Sequence, residues 1–436
     1  MKIGIIGCGY VGLTSGVCFA ELGHDVVCVD NDKQKIEILK KYKPPIYEPG
    51  LDKFLKKNKK RIKFSSEIKD AVLNNKVVFI AVGTPSNSDG SPDLSYVENV
   101  AKEIALWLDD YKVIVEKSTV PVETAEWIKK TIEKYKKNNV QFDVVSNPEF
   151  LREGSAINDF LKPDRIVIGT ESKKAQKIML NLYKKIKAPK IIVDTKSAEL
   201  IKHASNSFLA MKISFINAIS NICELTGADV KKVALGMGLD KRIGKEFLSA
   251  GIGYGGSCFP KDIDAFIWIA NKLGYDFSLL KEVKKINQYQ REIFVKKIEE
   301  VLWILKNKTI GILGLSFKPN TDDIREAPSI FIIKSLKEKG AKIKAYDPKA
   351  INKMKQVFSD IEYCDSVYKV AEGCDCLAIL TEWDEFKKID LMKVKKLMNH
   401  PIIVDGRNIF EPEKLTKYGF VYIPTGRSCI KVSFKK

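Results

Sequence analysis

The segment at 251–262 reads Gly-Ile-Gly-Tyr-Gly-Gly-Ser-Cys-Phe-Pro-Lys-Asp. It sets one thiol, Cys258, after Gly251, Gly253, Gly255 and Gly256 and just before Lys261 and Asp262. Glycines allow positive φ or close approach of the backbone to a ligand. A nearby lysine favours the thiolate, the nucleophilic form of cysteine. The segment therefore points to covalent catalysis. A second constellation opens the chain. Gly7-Cys-Gly9-Tyr-Val-Gly12 follows an apolar run and starts a helical pattern, and Asp30 ends the next apolar run. Gly7 suits a tight turn, Gly9 leaves room for a pyrophosphate, and Gly12 lets helix and strand pack closely. The phosphates then face a helix N-terminus. Asp30 would accept from a ribose 2′-hydroxyl and repel a 2′-phosphate, which points to NAD rather than NADP. Lys35 can reach the same ribose region.

Other polar residues stand where strands should end. Gly83-Thr-Pro and Lys117-Ser-Thr-Val-Pro121 each close an apolar run. Thr84 and Thr119 there can touch cofactor or water, or simply cap the next helix. Glu149, after Asn147-Pro148, reads either as a general acid/base or as a helix-start carboxylate. Lys202 and Asn206 are spaced i, i+4 on a predicted helix and share a face. The chain has only three histidines, and His203 reads as structural, so Ser-His-Asp and zinc-histidine chemistry have little support. An NAD enzyme that only makes a carbonyl needs no thiol. A thiol is needed to capture an aldehyde as a thiohemiacetal, which is then oxidised to a thioester and hydrolysed.

The elements that position these residues read as strand and helix in alternation. Strands are expected at 2–6, 24–29, 76–82, 113–115, 142–145 and 165–168, with a helix at 12–22. That pattern predicts an α/β fold with a doubly wound parallel sheet. Residues 197–226 form a long apolar helical run without Gly or Pro, either a core helix or a connecting helix that pairs with a second subunit. Helices are expected at 229–235, 262–273 and 278–301. From Lys308 the alternation restarts: 309–314 echoes 3–7 and 342–347 echoes 25–30, with later strands at 376–380 and 401–404. Gly314 lacks the full glycine fingerprint, so this second sheet is expected to have kept the fold and lost the dinucleotide site. Two Rossmann-like doubly wound domains, joined by a long central helix and a helical dimerisation region, are thus predicted over 1–196, 197–300 and 301–436.

The 436 residues carry a formal net charge of +19, with 45% hydrophobic and 30% charged residues. Lysines are spread along the chain without a nucleic-acid motif, so the charge suits anionic small ligands rather than nucleic acid. The nine cysteines (8, 18, 28, 223, 258, 364, 374, 376 and 429) fit no disulfide framework and no zinc spacing. A reduced, cytoplasmic setting is expected, with no metal. No signal peptide and no run of transmembrane length are read, so no membrane partner is expected.

Together Gly7-x-Gly9-x-x-Gly12, Gly83-Thr-Pro, Lys117-Ser-Thr-Val-Pro121, Asn147-Pro-Glu-Phe-Leu-Arg-Glu-Gly154, Lys202 with Asn206, Arg242-Ile-Gly244, Gly255-Gly-Ser-Cys-Phe-Pro-Lys-Asp262, Phe317-Lys318 and Asp405-Gly-Arg407 resemble the UDP-glucose 6-dehydrogenases among the nucleotide-sugar dehydrogenases. The resemblance spans nearly the whole chain. It implies a four-electron oxidation of UDP-glucose to UDP-glucuronate by a homodimer, with two NAD reduced. It implies Cys258 as nucleophile, and Lys202, Asn206 and Asp262 in proton transfer and oxyanion support. It gives Glu149 the thioester hydrolysis and Thr119 the water. Gly7, Gly9, Tyr10, Val11, Gly12, Asp30, Lys35, Thr84, Thr119, Glu153, Lys261 and Arg325 match cofactor positions. Glu149, Phe150, Leu151, Arg152, Lys202, Asn206, Phe247, Leu248, Ser249, Gly253, Gly255, Phe317, Lys318 and Arg407 match the substrate pocket, and Arg242 an arginine donated across a dimer interface. A sister enzyme for GDP-mannose or a UDP-N-acetylhexosamine is the alternative; Arg242-Ile-Gly244 and residues 247–251 lean toward UDP-glucose.

Overall fold

The computed structural model describes residues 1–428. Cys429 and the end of the expected 301–436 segment lie outside the described residues. The chain forms two compact units, Met1–Ser205 with Asp264–Tyr275, and Asn206–Ile263 with Asp276 onward. The boundaries fall inside two helices, Thr195–Thr226 and Phe259–Lys272, so each helix belongs partly to both units.

The first unit holds an eight-stranded sheet of β1 (Lys2–Ile6), β2 (Asp25–Val29), β3 (Ile62–Ser65), β4 (Val77–Ile80), β5 (Lys112–Glu116), β6 (Phe142–Ser146), β7 (Ile166–Gly169) and β8 (Lys190–Val193). Their spatial order is β3-β2-β1-β4-β5-β6-β7-β8, parallel except at the β6–β7 pair. The apolar runs behind the expected strands are those of the central strands. All residues of β4 and β5 are buried, because both faces of the sheet are covered. On one face Ile3, Ile5, Phe79 and Val115 pack with Phe19 and Phe160; on the other Ile6, Val78, Ile80 and Ile114 pack with Ile104 and Ile128. The doubly wound reading holds. β3 and β8 were not expected from the sequence; each is a short outer strand with mixed polarity and partial exposure.

The second unit repeats the plan. Strands β9 (Thr309–Leu313), β10 (Lys342–Tyr346), β11 (Glu362–Tyr363), β12 (Cys376–Ile379), β13 (Ile402–Asp405) and β14 (Val421–Ile423) are parallel in the order β11-β10-β9-β12-β13-β14. Ile310, Ile312 and Val404 face one core, and Leu313, Ile379 and Tyr422 the other. The helices Val230–Gly238 and Ser278–Leu302 belong to this unit.

The central helix is 32 residues long, two residues longer at its start than the sequence pattern suggests. By length and composition it is apolar enough to cross a membrane, which corrects the expectation that no segment reaches that limit. Its apolar residues are interrupted by Lys202, Asn206, Ser214, Asn217 and Ser220, all buried within the protein.

Asp347, at the end of β10, occupies the place that Asp30 has after β2. It is 1% exposed and accepts the N–H groups of Leu315 and Ser316 at 2.7 and 3.1 Å and of Lys349 and Ala350 at 2.8 Å. Trp383 Nε1 and the Ser316 hydroxyl also donate to it, each at 3.1 Å. A carboxylate so engaged has no lone pair left for a ribose. In the second sheet the aspartate at this place is therefore an internal clamp. Asp347→Ala leaves several buried donors unsatisfied, and is expected to destabilise the fold by about 3 kcal/mol. The denaturant midpoint should fall at unchanged m-value.

Candidate active site

In the first unit the candidate residues gather at the carboxyl ends of β1, β2, β4, β5 and β6, around the point between β1 and β4 where the strand order reverses. Gly7 has φ +101° and a Cβ there would sit 2.3 Å from the Ala81 carbonyl; at Gly12 it would sit 1.9 Å from the Gly7 carbonyl. A Cβ at Gly9 would meet nothing within 4 Å, so that glycine faces open space. This is the cradle a pyrophosphate requires at the head of helix Tyr10–Glu21. Asp30 accepts the Cys8 N–H at 2.8 Å, and Lys35 Nζ lies 2.9 Å from the same carboxylate oxygen. Lys35 thus steadies the Asp30 carboxylate. The residues fit NAD. Thr84 donates to the Thr119 carbonyl at 2.9 Å and ties the two loops together.

The loop after β6 is held from several sides. Glu149 is 6% exposed; its Oε1 lies 3.0 Å from Lys202 Nζ and its Oε2 accepts the Leu151 N–H at 2.5 Å. The Arg165 guanidinium stacks 3.6 Å over the Phe150 ring. Arg152 donates to Asp159 through its backbone N–H, Nε and Nη2 at 2.9, 3.0 and 2.7 Å. Its charge is thereby held on the protein's own carboxylate, and Glu153 follows in the same turn.

Several buried groups here were missed in the sequence reading. Lys117 Nζ bonds the Asn147 carbonyl and side-chain oxygens, both at 3.3 Å, and burial lowers its pKa to about 8. Glu199 accepts the Glu123 and Ala125 N–H groups at 2.7 and 2.8 Å, and burial raises it to about 7. Glu116 accepts the Ser118 N–H at 2.6 Å, and burial raises it to about 8. Asp159 and Arg165, both half-buried, were missed as well. The only available signal was charge inside otherwise apolar strand ends, and partners distant in sequence cannot be read from that.

In the second unit Cys258 directly precedes the 14-residue helix Phe259–Lys272. The dipole at a helix N-terminus favours negative charge there. Cys258 is half-buried, whereas every other described cysteine is buried. Burial pushes up the thiols of Cys18, Cys364, Cys374 and Cys376, which makes them poor nucleophiles. Asp262, one turn into the helix, is 1% exposed and engages Asn206 Nδ2 and Lys261 Nζ, each at 2.6 Å. The neighbouring glycines have an internal reason as well: a Cβ at Gly255 would meet the Glu326 carbonyl at 2.2 Å, and one at Gly256, where φ is +85°, the Phe317 ring at 2.7 Å.

Phe317, Lys318 and Arg407 lie past the carboxyl ends of β9 and β13, and Arg407 Nε donates to the Leu380 carbonyl past β12 at 2.8 Å. This is the reversal point of the second sheet. Leu248 and Gly253 are buried, Phe247 is half-buried with φ +65°, and Ser249 is exposed. Arg325 pairs with Asp323 at 2.6 Å. Arg242 points outward, with 89% of its side chain exposed, and pairs only locally with Asp240. Lys212 on the central helix holds the same turn through the Ile243 carbonyl at 3.0 Å.

Family profiles agree with this geometry. Residues 1–187 match the NAD binding domain of the UDP-glucose/GDP-mannose dehydrogenase family, residues 196–289 its central domain and residues 311–412 its UDP binding domain. The chain belongs to that family. It is 50% identical over 433 residues to the UDP-glucose 6-dehydrogenase TuaD of Bacillus subtilis, covering 99% of this chain and 94% of that protein. It is 45% identical to the UDP-glucose 6-dehydrogenase of Rhizobium meliloti, covering 98% and 100%. The solved UDP-glucose dehydrogenase of Pyrobaculum islandicum superposes with a TM-score of 0.91 at 39% identity, covering 97% of this chain and 96% of that one. A UDP-D-ManNAc dehydrogenase from Pyrococcus horikoshii gives a TM-score of 0.87 at 28% identity, covering 98% and 99%. The protein is an NAD-dependent dehydrogenase with a nucleotide-sugar substrate.

The buried Glu116 carboxyl gives a pH test. Its pKa of about 8 exceeds the ordinary 4.5, so the folded state holds a proton that the unfolded chain has released. The stability this contributes is full below about pH 4.5 and is lost as the pH rises through about 8. Glu116→Gln keeps the neutral shape. Its melting temperature should match the parent near pH 5 and exceed it increasingly up to pH 8, by calorimetry.

Proposed function

We propose that the protein oxidises UDP-glucose to UDP-glucuronate, with Cys258 as the covalent nucleophile. The observation that carries this is the setting of Cys258, half-buried at a helix head beside the Asn206–Asp262–Lys261 cluster. The substrate follows from the relatives: those 40–50% identical are UDP-glucose 6-dehydrogenases, whereas the N-acetylhexosamine enzyme above is 28% identical.

The roles follow from the groups. Gly7, Gly9, Tyr10, Val11, Gly12, Asp30, Lys35, Thr84, Thr119 and Glu153, with Lys261 and Arg325, would hold NAD, which would supply the hydride acceptor for each of the two oxidations at carbon 6. Lys202, Asn206 and Asp262 together move the hydroxyl proton, with the Asp262 carboxylate as its acceptor, and the Lys202 ammonium, kept in place by Glu149, supports the oxyanion together with Asn206. Cys258 adds to the aldehyde as a thiohemiacetal, and the second oxidation leaves a thioester. Glu149 draws a proton from a water held by Thr119. That water attacks the thioester, the carboxylate leaves and the thiol is restored. Phe150, Leu151 and Arg152 line the sugar, Phe247, Leu248, Ser249, Gly253 and Gly255 the segment before the thiol, and Phe317, Lys318 and Arg407 the nucleotide. The cationic side chains suit a diphosphate. Segments 1–196, 197–300 and 301–436 accordingly hold cofactor, thiol and nucleotide.

We infer a homodimer formed along the central helix. Phe208, Phe215 and Ile222 recur at intervals of seven and are 57%, 48% and 54% exposed, with Met211 and Ala218 between them and Leu225 just beyond. Such an a/d seam needs a partner helix. Arg242, exposed on the same unit, would then serve the other subunit's site. A reactive thiol suits a reducing compartment, which supports a cytoplasmic setting.

UDP-glucose should be preferred over GDP-mannose and UDP-N-acetylhexosamines, with two NADH formed per sugar consumed. One NADH per sugar, or another preferred sugar, refutes the reading. Cys258→Ala should still bind NAD and UDP-glucose while overall turnover falls about 10³-fold or more. By sedimentation, Phe215→Glu should yield monomers; a parent that sediments as a monomer rules out the dimer.

A further inference from the structure

Glu48 lies in the loop between helices Lys33–Lys40 and Leu51–Lys57 and is 5% exposed. Its Oε1 accepts the Ala156 N–H at 2.8 Å, and its Oε2 accepts the Gly154 N–H at 2.7 Å together with the Tyr10 hydroxyl. The Tyr10 oxygen is itself reached by the Gly154 N–H at 3.0 Å. Tyr10 opens the helix that follows the Gly7–Gly9 turn. Gly154 and Ala156 directly follow Glu149–Glu153. One buried carboxylate thus joins the cofactor turn to the end of the loop that carries Glu149 and Phe150. The same turn is also held from its other face, by Arg152 and Ser155 on Asp159.

The chemistry of the group matters. An ionised carboxylate only accepts, and its two oxygens can serve three donors. Its bonds to backbone N–H groups are charge-assisted and stronger than neutral ones. A glutamine in the same place has one accepting oxygen, and its amide hydrogens would face a donor.

We propose that Glu48 is a positioning residue that locks the cofactor turn to the Glu149 loop, so that a bound dinucleotide tightens that loop's hold on the sugar. The inference rests on the function proposed above. A dinucleotide fixes the head of helix Tyr10–Glu21, hence Tyr10, Glu48 and the Gly154 end of the loop. The sugar then meets a loop already ordered and binds more tightly. Linkage makes the effect reciprocal, so the sugar nucleotide tightens dinucleotide binding by the same factor.

The test is calorimetric titration of the intact protein with UDP-glucose, without and with saturating NADH. UDP, which lacks the sugar, serves as control. The parent should bind UDP-glucose about fivefold more tightly with NADH present. Glu48→Gln and Tyr10→Phe should each bring that ratio close to one, and the double variant should lose nothing more. UDP should show no ratio in any of them. A ratio near one in the parent overturns the proposal. So does an undiminished ratio in Tyr10→Phe, a mild change that keeps the packing of the ring, or an equal ratio for UDP. A purely structural role for Glu48 would lower the melting temperature and leave the ratio intact. A parent that binds UDP-glucose without reducing NAD refutes the proposed function, yet its binding ratio still decides the role of Glu48.

Discussion

The first unit is organised around one buried ion pair, Lys202 with Glu149, whose side chains are 5% and 6% exposed. Taking both charges out of water is costly, and such a pair gives little net stability over a hydrophobic isostere. What it supplies is position and charge where the sheet ends. The surroundings hold it to one geometry. One turn earlier on the helix, Glu199 bonds the backbone at Glu123 and Ala125; one residue later, His203 Nε2 lies 2.8 Å from the Val120 carbonyl. The loop after β5 and the loop after β6 are both stapled to the start of the same helix. If that helix shifted along its axis, the Lys202–Glu149 pair and the anchors of both loops would be lost together.

The two sheets show one topology put to two uses. In each, the order runs outward from a reversal between the first and fourth strands, where loops diverge and leave a crevice. In the first sheet the aspartate after β2 keeps a partly open carboxylate with Lys35 beside it. In the second, Asp347 is consumed by backbone donors and Trp383, and Phe317 and Arg407 occupy the crevice side instead. Asp405 shows the same economy: fully buried, it accepts from Arg407, Ile409 and Tyr422 and shapes the turn that presents the Arg407 side chain.

Much of this was legible in the sequence, for physical reasons. Central strands such as β4 and β12 are buried on both faces and so must be continuous apolar runs. The glycines at 7 and 12 are demanded by backbone contacts that any side chain would violate, whereas Gly9 faces open space. The long helix announces itself by period and by the absence of Gly and Pro. The outer strands β3, β8, β11 and β14 were not seen, because an edge strand has no such requirement and its polarity is mixed. The supporting groups around Glu149 were invisible for another reason. Lys117 meets Asn147, Glu199 meets Ala125 and Glu48 meets Gly154 across 30, 74 and 106 residues. Neither period nor propensity reports pairing over such separations. The loop glycines near the thiol were read as room for a ligand, yet Gly255 and Gly256 also make room for the protein's own backbone and for the Phe317 ring.

The same logic explains what sets one cysteine apart among the described ones. A thiolate needs a group that stabilises its charge, and a buried apolar site does the reverse. Cys18 and Cys376 pack in cores whose desolvation holds the proton on sulfur. Cys8 sits inside the dinucleotide fingerprint itself, but its side chain is turned into the core against Cys28 and only its N–H is used, on Asp30. Cys258 alone among the described cysteines combines partial exposure with a helix head and a cation-bearing neighbourhood. The constraint that singles it out is therefore electrostatic and set by the backbone. A serine at the same place would keep the geometry but could not form a thioester, the intermediate proposed for Cys258.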